Sequence, residues 1–414
     1  MKSIVIAGAG QAGYQVAASL RQGGFDGSIT LINDEPALPY QRPPLSKAYL
    51  LGKLDAMRLL HRQEGWYTDN DVTVVSGHAE AIDRAAHSVA LADGTSLHYD
   101  HLVIATGARN RTVPVPGADL DGVFGMRTKV DADALASRLH EGVDVVVIGA
   151  GFIGLEFAAV AAAHGASVTV IELADRPMAR AVSVPTSEFF RDAHEAWGVR
   201  FHFGEGVTSI DGTGGDDAGR VASVTTSSGT VLPAGLVVYG VGVIPNCELA
   251  EAAGLDVDNG IKVDAHLTTS DPDISALGDA VSFPCVHNEG NRTRLESVQN
   301  AADQARAVAA CILGKPEPYA SLPWFWSDQG DLKLQIAGLA RPDDASLVLP
   351  TGSQRELVVL RFRDEVLVAV ETVNRPGEHM LGRRILADGL TLTSAEAQAP
   401  GFDLKAWHSV HISA

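Results

Sequence analysis

The chain has 414 residues, 46% of them hydrophobic, and its 32 basic against 51 acidic residues leave a net charge of −19. That length exceeds one ordinary core, so two or three domains are expected. So acidic a surface argues against nucleic acid or anionic membranes as general partners. Cys247, Cys285 and Cys311 lie far apart and form no CxxC, which disfavours a disulfide scaffold and a metal site and points to free thiols in a reducing cytoplasm. The opening MKSIVIAGAG runs straight from a short apolar stretch into glycines, a strand rather than a signal peptide. No apolar run reaches the roughly 20 residues of a membrane helix without interruption, so a soluble cytoplasmic protein with no membrane insertion is expected.

Residues 3–35 read as strand, glycine turn, helix, strand and acid. Gly8, Gly10 and Gly13 make a GxGxxG motif, and Asp34 or Glu35 stands where a carboxylate would bond a ribose. The first glycine permits a tight turn, the second lets backbone approach a pyrophosphate, and the third lets helix pack closely on strand. Next comes PYQRPPLSK at 39–47, where prolines preclude helix before Leu45. That stiff loop either places Arg42 and Lys47 as fixed cations beside an anionic cofactor or is a solvated surface loop. Alternation over 72–99, with a turn at Asp93 and Gly94, predicts an antiparallel meander. A buried parallel strand follows and ends in Ala105, Thr106 and Gly107, where an open α/β sheet presents its ligand crevice.

After a linker at 114–117 and a helix over 131–139, residues 146–172 repeat the first pattern with Gly149, Gly151, Gly154 and then Glu172. Strands at 199–203, 221–226 and 230–232 and a buried strand over 236–243 continue the repeat. The acidic, glycine-rich 211–219 lacks the ligand spacing of a calcium loop and reads as a hairpin tip. At 274–280 strand, glycine and acid recur, and Asp279 either accepts from a ribityl or ribose hydroxyl or caps a helix. A long helix starts near ESVQNA and runs to Leu313. Beyond Pro318 the composition shifts. WFWSDQ at 324–329 precedes strands at 332–339, 356–363 and 366–373.

Two fingerprints about 140 residues apart, each followed by the same order of elements, are an internal duplication of a nucleotide-binding unit. Two nucleotide sites in one chain suggest a bound flavin reduced by a diffusing nicotinamide. The expected fold is α/β: two Rossmann-like dinucleotide-binding domains, each a βαβ unit with an antiparallel meander, plus a C-terminal α+β domain. The expected segments are 1–112 and 244–320 for the first domain, 113–243 for the second and 321–414 for the third.

The GAGQAG and GAGFIG fingerprints, RPPLSK, ATG, VGVIPN, Gly278 with Asp279, ESVQNA and PWFWSDQ occur in the family's order along the whole chain. Together they resemble the FAD-dependent, NADH-dependent ferredoxin reductases, the putidaredoxin reductase and aromatic-dioxygenase reductase type of glutathione-reductase-like flavoprotein. The resemblance implies FAD on Gly8, Gly10 and Gly13 with Asp34 or Glu35 at its ribose, and with Ala105, Thr106, Gly107 and Asp279 against the cofactor. It implies Arg42 and Lys47 near the flavin, Lys47 paired with Glu156, and Val298 and Trp326 bordering the ring. NADH falls to Gly149, Gly151 and Gly154, with Glu172 on the ribose and repelling the phosphate of NADPH. Arg176 and Arg180 follow Glu172 and either accommodate a 2′-phosphate or, since Glu172 occupies the discriminating place, touch adenine or solvent. The implied acceptor is a [2Fe-2S] ferredoxin serving a cytochrome P450 or an aromatic dioxygenase, and no metal site is expected in the chain itself.

No redox-active cysteine pair is present, so electrons must leave the flavin directly. Arg306, Arg341, Arg375, Arg383 and Arg384 are candidates for a basic docking patch with Trp324 or Trp326 as its apolar contact. His164 reads as a surface or packing residue. Competing readings are an NADH oxidase, a rubredoxin reductase and an NADH-responsive redox sensor. Monomer and weak dimer both remain open.

Overall fold

Ser3–Ala7 is buried from Ile4 onward, as a strand covered on both faces requires. It is the middle of a parallel sheet in the order Ile274–Ala276, His101–Ile104, Ser3–Ala7, Ser28–Asn33, Val72–Ser76. The structure is a computed structural model that describes residues 1–214 and 219–412. It divides into two compact units: Met1–Gln41, Asp55–Arg109 and Ile244–Pro323 form the first, and Arg42–Leu54, Asn110–Val243 and the chain from Trp324 on form the second.

In the first unit the helix Gln11–Gln22 packs against Val298–Ile312. The second of these begins at Ser297, whose side chain accepts from Asn300 N, an N-cap that satisfies a backbone donor. The antiparallel meander consists of Ala79–Asp83, Ser88–Leu91 and Ser96–His98. Val72–Ser76, expected in that meander, instead extends the parallel sheet. Alternation alone does not distinguish an edge strand of either kind, and the true first strand of the meander, AEAID, buries only Ile82.

The second unit repeats the plan with a parallel sheet ordered Arg200–Phe203, Ser167–Glu172, Asp144–Ile148, Leu236–Tyr239, Val123–Gly125. Leu236–Tyr239 stops earlier than the expected 236–243: the carbonyl of Gly240 lies against Gly149, and Gly242 takes φ of +100°. Val207–Gly212, Val221–Thr226 and Val231–Pro233 form its antiparallel meander. Residues 215–218 of the expected hairpin tip lie outside the described residues.

The C-terminal sheet is antiparallel, in the order Trp324–Gln329, Leu332–Gly338, Val366–Val373, Leu357–Arg363, Ala345–Val348. Leu360, Phe362, Leu367 and Val370 pack with Ile385 of the helix Pro376–Ala387 and with Leu392 and Leu404. Asp364 and Glu365, both at positive φ (47° and 68°), close the tight hairpin, the geometry of a two-residue turn that matches strand twist. Trp324–Gln329 is itself a strand, not a lead-in to one. Its fully buried positions are Ser327 and Gln329, so its inward face is polar and the hydrophobic pattern that marks a strand is absent.

Also within this unit, Arg361 and Glu371 form an ion pair at 2.7 Å with both side chains almost wholly buried. Glu371 further accepts from Ser183 N at 2.9 Å, Ser183 Oγ at 2.6 Å and Thr186 Oγ1 at 2.5 Å. Those donors open the helix Val184–Ala196, so a carboxylate of the C-terminal sheet meets the positive end of a helix in the nucleotide-binding part. Breaking one side of such a pair strands the other charge in the interior. Glu371→Gln should therefore lower unfolding free energy by about 3–5 kcal/mol in denaturant titration. His194, fully buried, has its pKa pushed down to about 4 by burial. Its contribution to stability is whole above its unfolded value of 6.5 and is lost as pH falls from 6.5 to about 4, about 3 kcal/mol at most. Thermal unfolding followed across that window should show the loss, and His194→Phe should flatten part of it.

Candidate functional site

In the first unit Gly8 takes φ of +114°, and a Cβ there would lie 2.3 Å from Ala105 O. The turn thus needs glycine for its dihedral and for the closeness of the neighbouring strand end. A Cβ on Gly13 would fall 1.9 Å from Gly8 O, so only glycine lets the helix close on the strand. Gly10 faces open space, with nothing within 4 Å of a Cβ. It is the N-cap of Gln11–Gln22, without a side-chain cap and without an acid in the first turn. Backbone donors and the positive helix end are left for an anion, and the cradle fits the pyrophosphate of a dinucleotide.

Around this turn Thr106 Oγ1 donates to Asn246 O at 2.7 Å, Asn246 Nδ2 returns a bond to Thr106 O at 2.9 Å, and Asn246 N donates to Gly107 O. Gly278 N donates to Gln304 Oε1 at 2.7 Å, and Arg294 Nη1 holds Asp279 O. Asp279 lies inside the short 3-10 turn Gly278–Ala280, whose cap position is Leu277, so Asp279 is not a helix cap. Val298 is the half-buried first residue of its helix. At the end of the second strand Asp34 is mostly exposed beside His78, whereas Glu35 accepts from Tyr40 OH.

The second unit builds the same turn: Gly149 has φ of +99° with a Cβ position 2.7 Å from Gly240 O, and a Cβ on Gly154 would lie 2.2 Å from Gly149 O. Gly151 caps Phe152–Ala163, again without a side-chain cap or a first-turn acid. Glu172 ends its strand and folds back, with Oε2 accepting from Ala150 N at 2.7 Å and Oε1 from Ala174 N at 2.9 Å. The strand registers pair Ala7 with Ile32 and Ile148 with Ile171, which makes Asn33 the counterpart of Glu172. Arg176 donates to Ala179 O and Val182 O and so ties its own loop, while Arg180 is exposed.

The helix Phe152–Ala163 is buried continuously from Gly154 to Ala161, and Glu156 is the one ionisable side chain on it. Its carboxylate, 2% exposed, takes Lys47 Nζ at 2.9 Å, Ser327 Oγ at 2.7 Å on the same Oε1, and Ser46 Oγ at 2.5 Å on Oε2. Burial pushes this carboxyl above its ordinary range, and Lys47 with the two hydroxyls offsets that only in part. Lys47 and Ser46 come from the proline-stiffened loop, where Pro43–Ser46 forms one 3-10 turn, and Arg42 Nη1 donates to Arg127 O at 2.8 Å. Trp326 is half-buried beside Trp324, ring centroids 5.6 Å apart. Ser46 and Ser327 are site residues that sequence reasoning misses, although each stands inside a motif it singles out.

Among the arginines considered for docking, Arg375 is engaged by Glu356 and Glu378 and Arg306 by Asp303. Arg383 lies 4.6 Å over the Trp324 ring, a cation–π contact. Arg341 donates its backbone N–H to Asp344, and Arg384 is exposed. His164 Nε2 sits 3.1 Å from Leu50 O, a packing role.

Duplicated fingerprints on parallel sheets, each with an open helix N-terminus, define a two-nucleotide oxidoreductase of α/β class. The chain belongs to the pyridine nucleotide-disulphide oxidoreductase family, whose pattern matches residues 2–305, and carries the reductase C-terminal domain at 324–408. Within it the chain is similar to rhodocoxin reductase of Rhodococcus erythropolis, 49% identical over 404 residues, 97% of this chain and 93% of that one. Among solved structures it is similar to the ferredoxin reductase for the CYP199A2 system from Rhodopseudomonas palustris, with TM-score 0.94 and 48% identity over 99% of this chain and 100% of that one. It is similar also to the reductase in the covalent putidaredoxin reductase–putidaredoxin complex, with TM-score 0.95 and 38% identity over 100% and 99% of the two chains.

Glu172 holds the second fingerprint turn and carries a negative charge at the strand end. Glu172→Ala should therefore weaken NADH binding and relax discrimination against NADPH by about tenfold, about 1.4 kcal/mol, read as the ratio of kcat/KM for the two nucleotides. Unchanged preference would place selectivity elsewhere.

Proposed function

We propose that this chain is an NADH-dependent, FAD-containing ferredoxin reductase that delivers single electrons to a [2Fe-2S] ferredoxin serving a cytochrome P450 or an aromatic dioxygenase. The observation that carries it is the pair of open glycine cradles, one in each unit, together with cysteines that form no redox pair: Cys247 and Cys285 are buried and Cys311 is half-buried, all free thiols. Bound FAD supplies the chemistry of accepting a hydride and releasing electrons singly.

The chain's own residues bind and orient. Backbone donors after Gly10 are assigned to the FAD pyrophosphate, and Glu35, drawn inward by Tyr40, is favoured over exposed Asp34 for the ribose. Backbone donors after Gly151 are assigned to NADH, with Glu172 on its ribose diol. Lys47, pinned by Glu156, is the fixed ammonium assigned to the flavin, and Asp279, Val298 and Trp326 keep the cofactor roles that the family resemblance implies. Hydride transfer needs no dedicated general acid, so position and charge are what the protein supplies. For acceptor docking, Arg383 offers positive charge beside Trp324 and Arg384 an exposed charge next to it in the chain, on an otherwise acidic protein, suited to an acidic ferredoxin. No helix among the described residues is long and apolar enough to cross a membrane, and a cytoplasmic location is part of the proposal.

Stopped-flow mixing tests this reading. NADH should bleach the flavin much faster than NADPH, and a [2Fe-2S] ferredoxin should reoxidise it faster than oxygen does. A protein that reconstitutes with no flavin, or that passes electrons only to oxygen, would refute it. Arg383→Glu with Arg384→Glu should raise KM for the ferredoxin and flatten its salt dependence, with NADH reduction unchanged.

A further inference from the structure

Ser327 is the near end of a longer buried chain in the second unit. Gln329 Nε2 donates to Ser327 Oγ at 3.2 Å, and Gln329 Oε1 faces His194 Nε2 at 2.8 Å. Ser327, Gln329 and His194 are each fully buried. Ser327 and Gln329 are the two inward polar positions of Trp324–Gln329, on the strand whose face lacks the apolar pattern. A polar face inside a core is costly unless every member is paired, so the arrangement needs a reason.

Proton order supplies one. With its proton on Nε2, His194 donates to Gln329 Oε1, the Gln329 amide then donates to Ser327, and the Ser327 hydroxyl is left to donate to Glu156. With the proton on Nδ1, which has no partner, a buried N–H would be stranded. Gln329 would then have to turn its oxygen toward Ser327, which would draw the Ser327 hydroxyl away from Glu156. The low pKa of His194 keeps it neutral at physiological pH, so the tautomer is the remaining variable. Trp197 and Phe201 pack against its ring at 4.9 and 6.2 Å. The charge acting on Glu156 is that of Lys47.

We propose that His194 and Gln329 are positioning residues that act through Ser327 to hold Glu156 as an anion and so anchor Lys47. This rests on the assignment of Lys47 to the flavin, but the hydrogen-bond order stands independently of it. Three donors pointing the same way along a buried chain stabilise negative charge at its end.

The test reads Glu156 itself, in protein with and without FAD, by infrared titration of its protonated-carboxyl band, assigned by its loss in Glu156→Gln. Ser327→Ala and Gln329→Met should each raise the pH at which the band appears by about one unit, a tenfold gain in proton affinity. Ser327→Thr should restore it, and His194→Phe should move it in the same direction as Gln329→Met. In flavin-loaded protein the acid limb of NADH-driven reduction should shift by the same interval, with the plateau at higher pH retained. Gln329→Met preserves volume and the Ser327 hydroxyl, and carries the test alone if Ser327→Ala does not fold. A band that titrates at the same pH in Gln329→Met and His194→Phe, whatever their stability, would overturn the proposal and leave these residues a packing role. A shifted band in a protein that NADH cannot reduce would uphold the network and refute the enzymatic reading instead.

Discussion

A carboxylate on a helix buried on every side is the constraint from which the second unit is organised. Glu156 cannot remain ionised there without donors, and they come from two segments remote in sequence: Ser46 and Lys47 of the proline-stiffened loop and Ser327 of the C-terminal sheet. The same helix begins at the glycine turn and packs against the nucleotide-binding sheet. Folding the charge inward therefore joins the cofactor turn, the lysine loop and the last domain in one packed arrangement. An apolar residue at 156 would cost less to bury, but it would leave Lys47 without its anchor.

The duplication is physical as well as textual. In both copies the first glycine is forced by φ and by a neighbouring carbonyl, the third by closeness of helix to strand, and the middle one meets the least crowding. The copies diverge at the end of the second strand. Register makes Asn33 the counterpart of Glu172, so the acid that grips one turn in the second unit is replaced in the first by acids one and two positions later. Ala105 and Gly240 occupy matching strand ends against Gly8 and Gly149. One scaffold is thus built twice, with changes at a few positions at the strand ends.

The C-terminal domain is held by charge rather than by an apolar seam alone. Glu371 meets Arg361 and the donors at the head of Val184–Ala196, and Ser327 and Gln329 turn polar groups toward Glu156 and His194. These positions are where pattern reading fails. Trp324–Gln329 is not legible as a strand because its inward residues are polar, and Val72–Ser76 pairs in a sheet other than the expected one because alternation does not encode its partner. Local sequence rules fail where function or an internal network overrides them.

By itself the sequence determined the two glycine-turn units and the family. Those signals are local: glycine spacing, strand runs and acids at fixed distances. Tertiary structure alone decided that Arg176 ties its own loop, that Glu172 bonds Ala150, that Arg375 is already engaged by two glutamates, that Ser46 and Ser327 bond the Glu156 carboxylate, and that Gln329 links Ser327 to His194. Hydrogen-bond partners that are more than a hundred residues apart leave no periodicity to read. They exist only once the chain has brought a buried charge and its donors together.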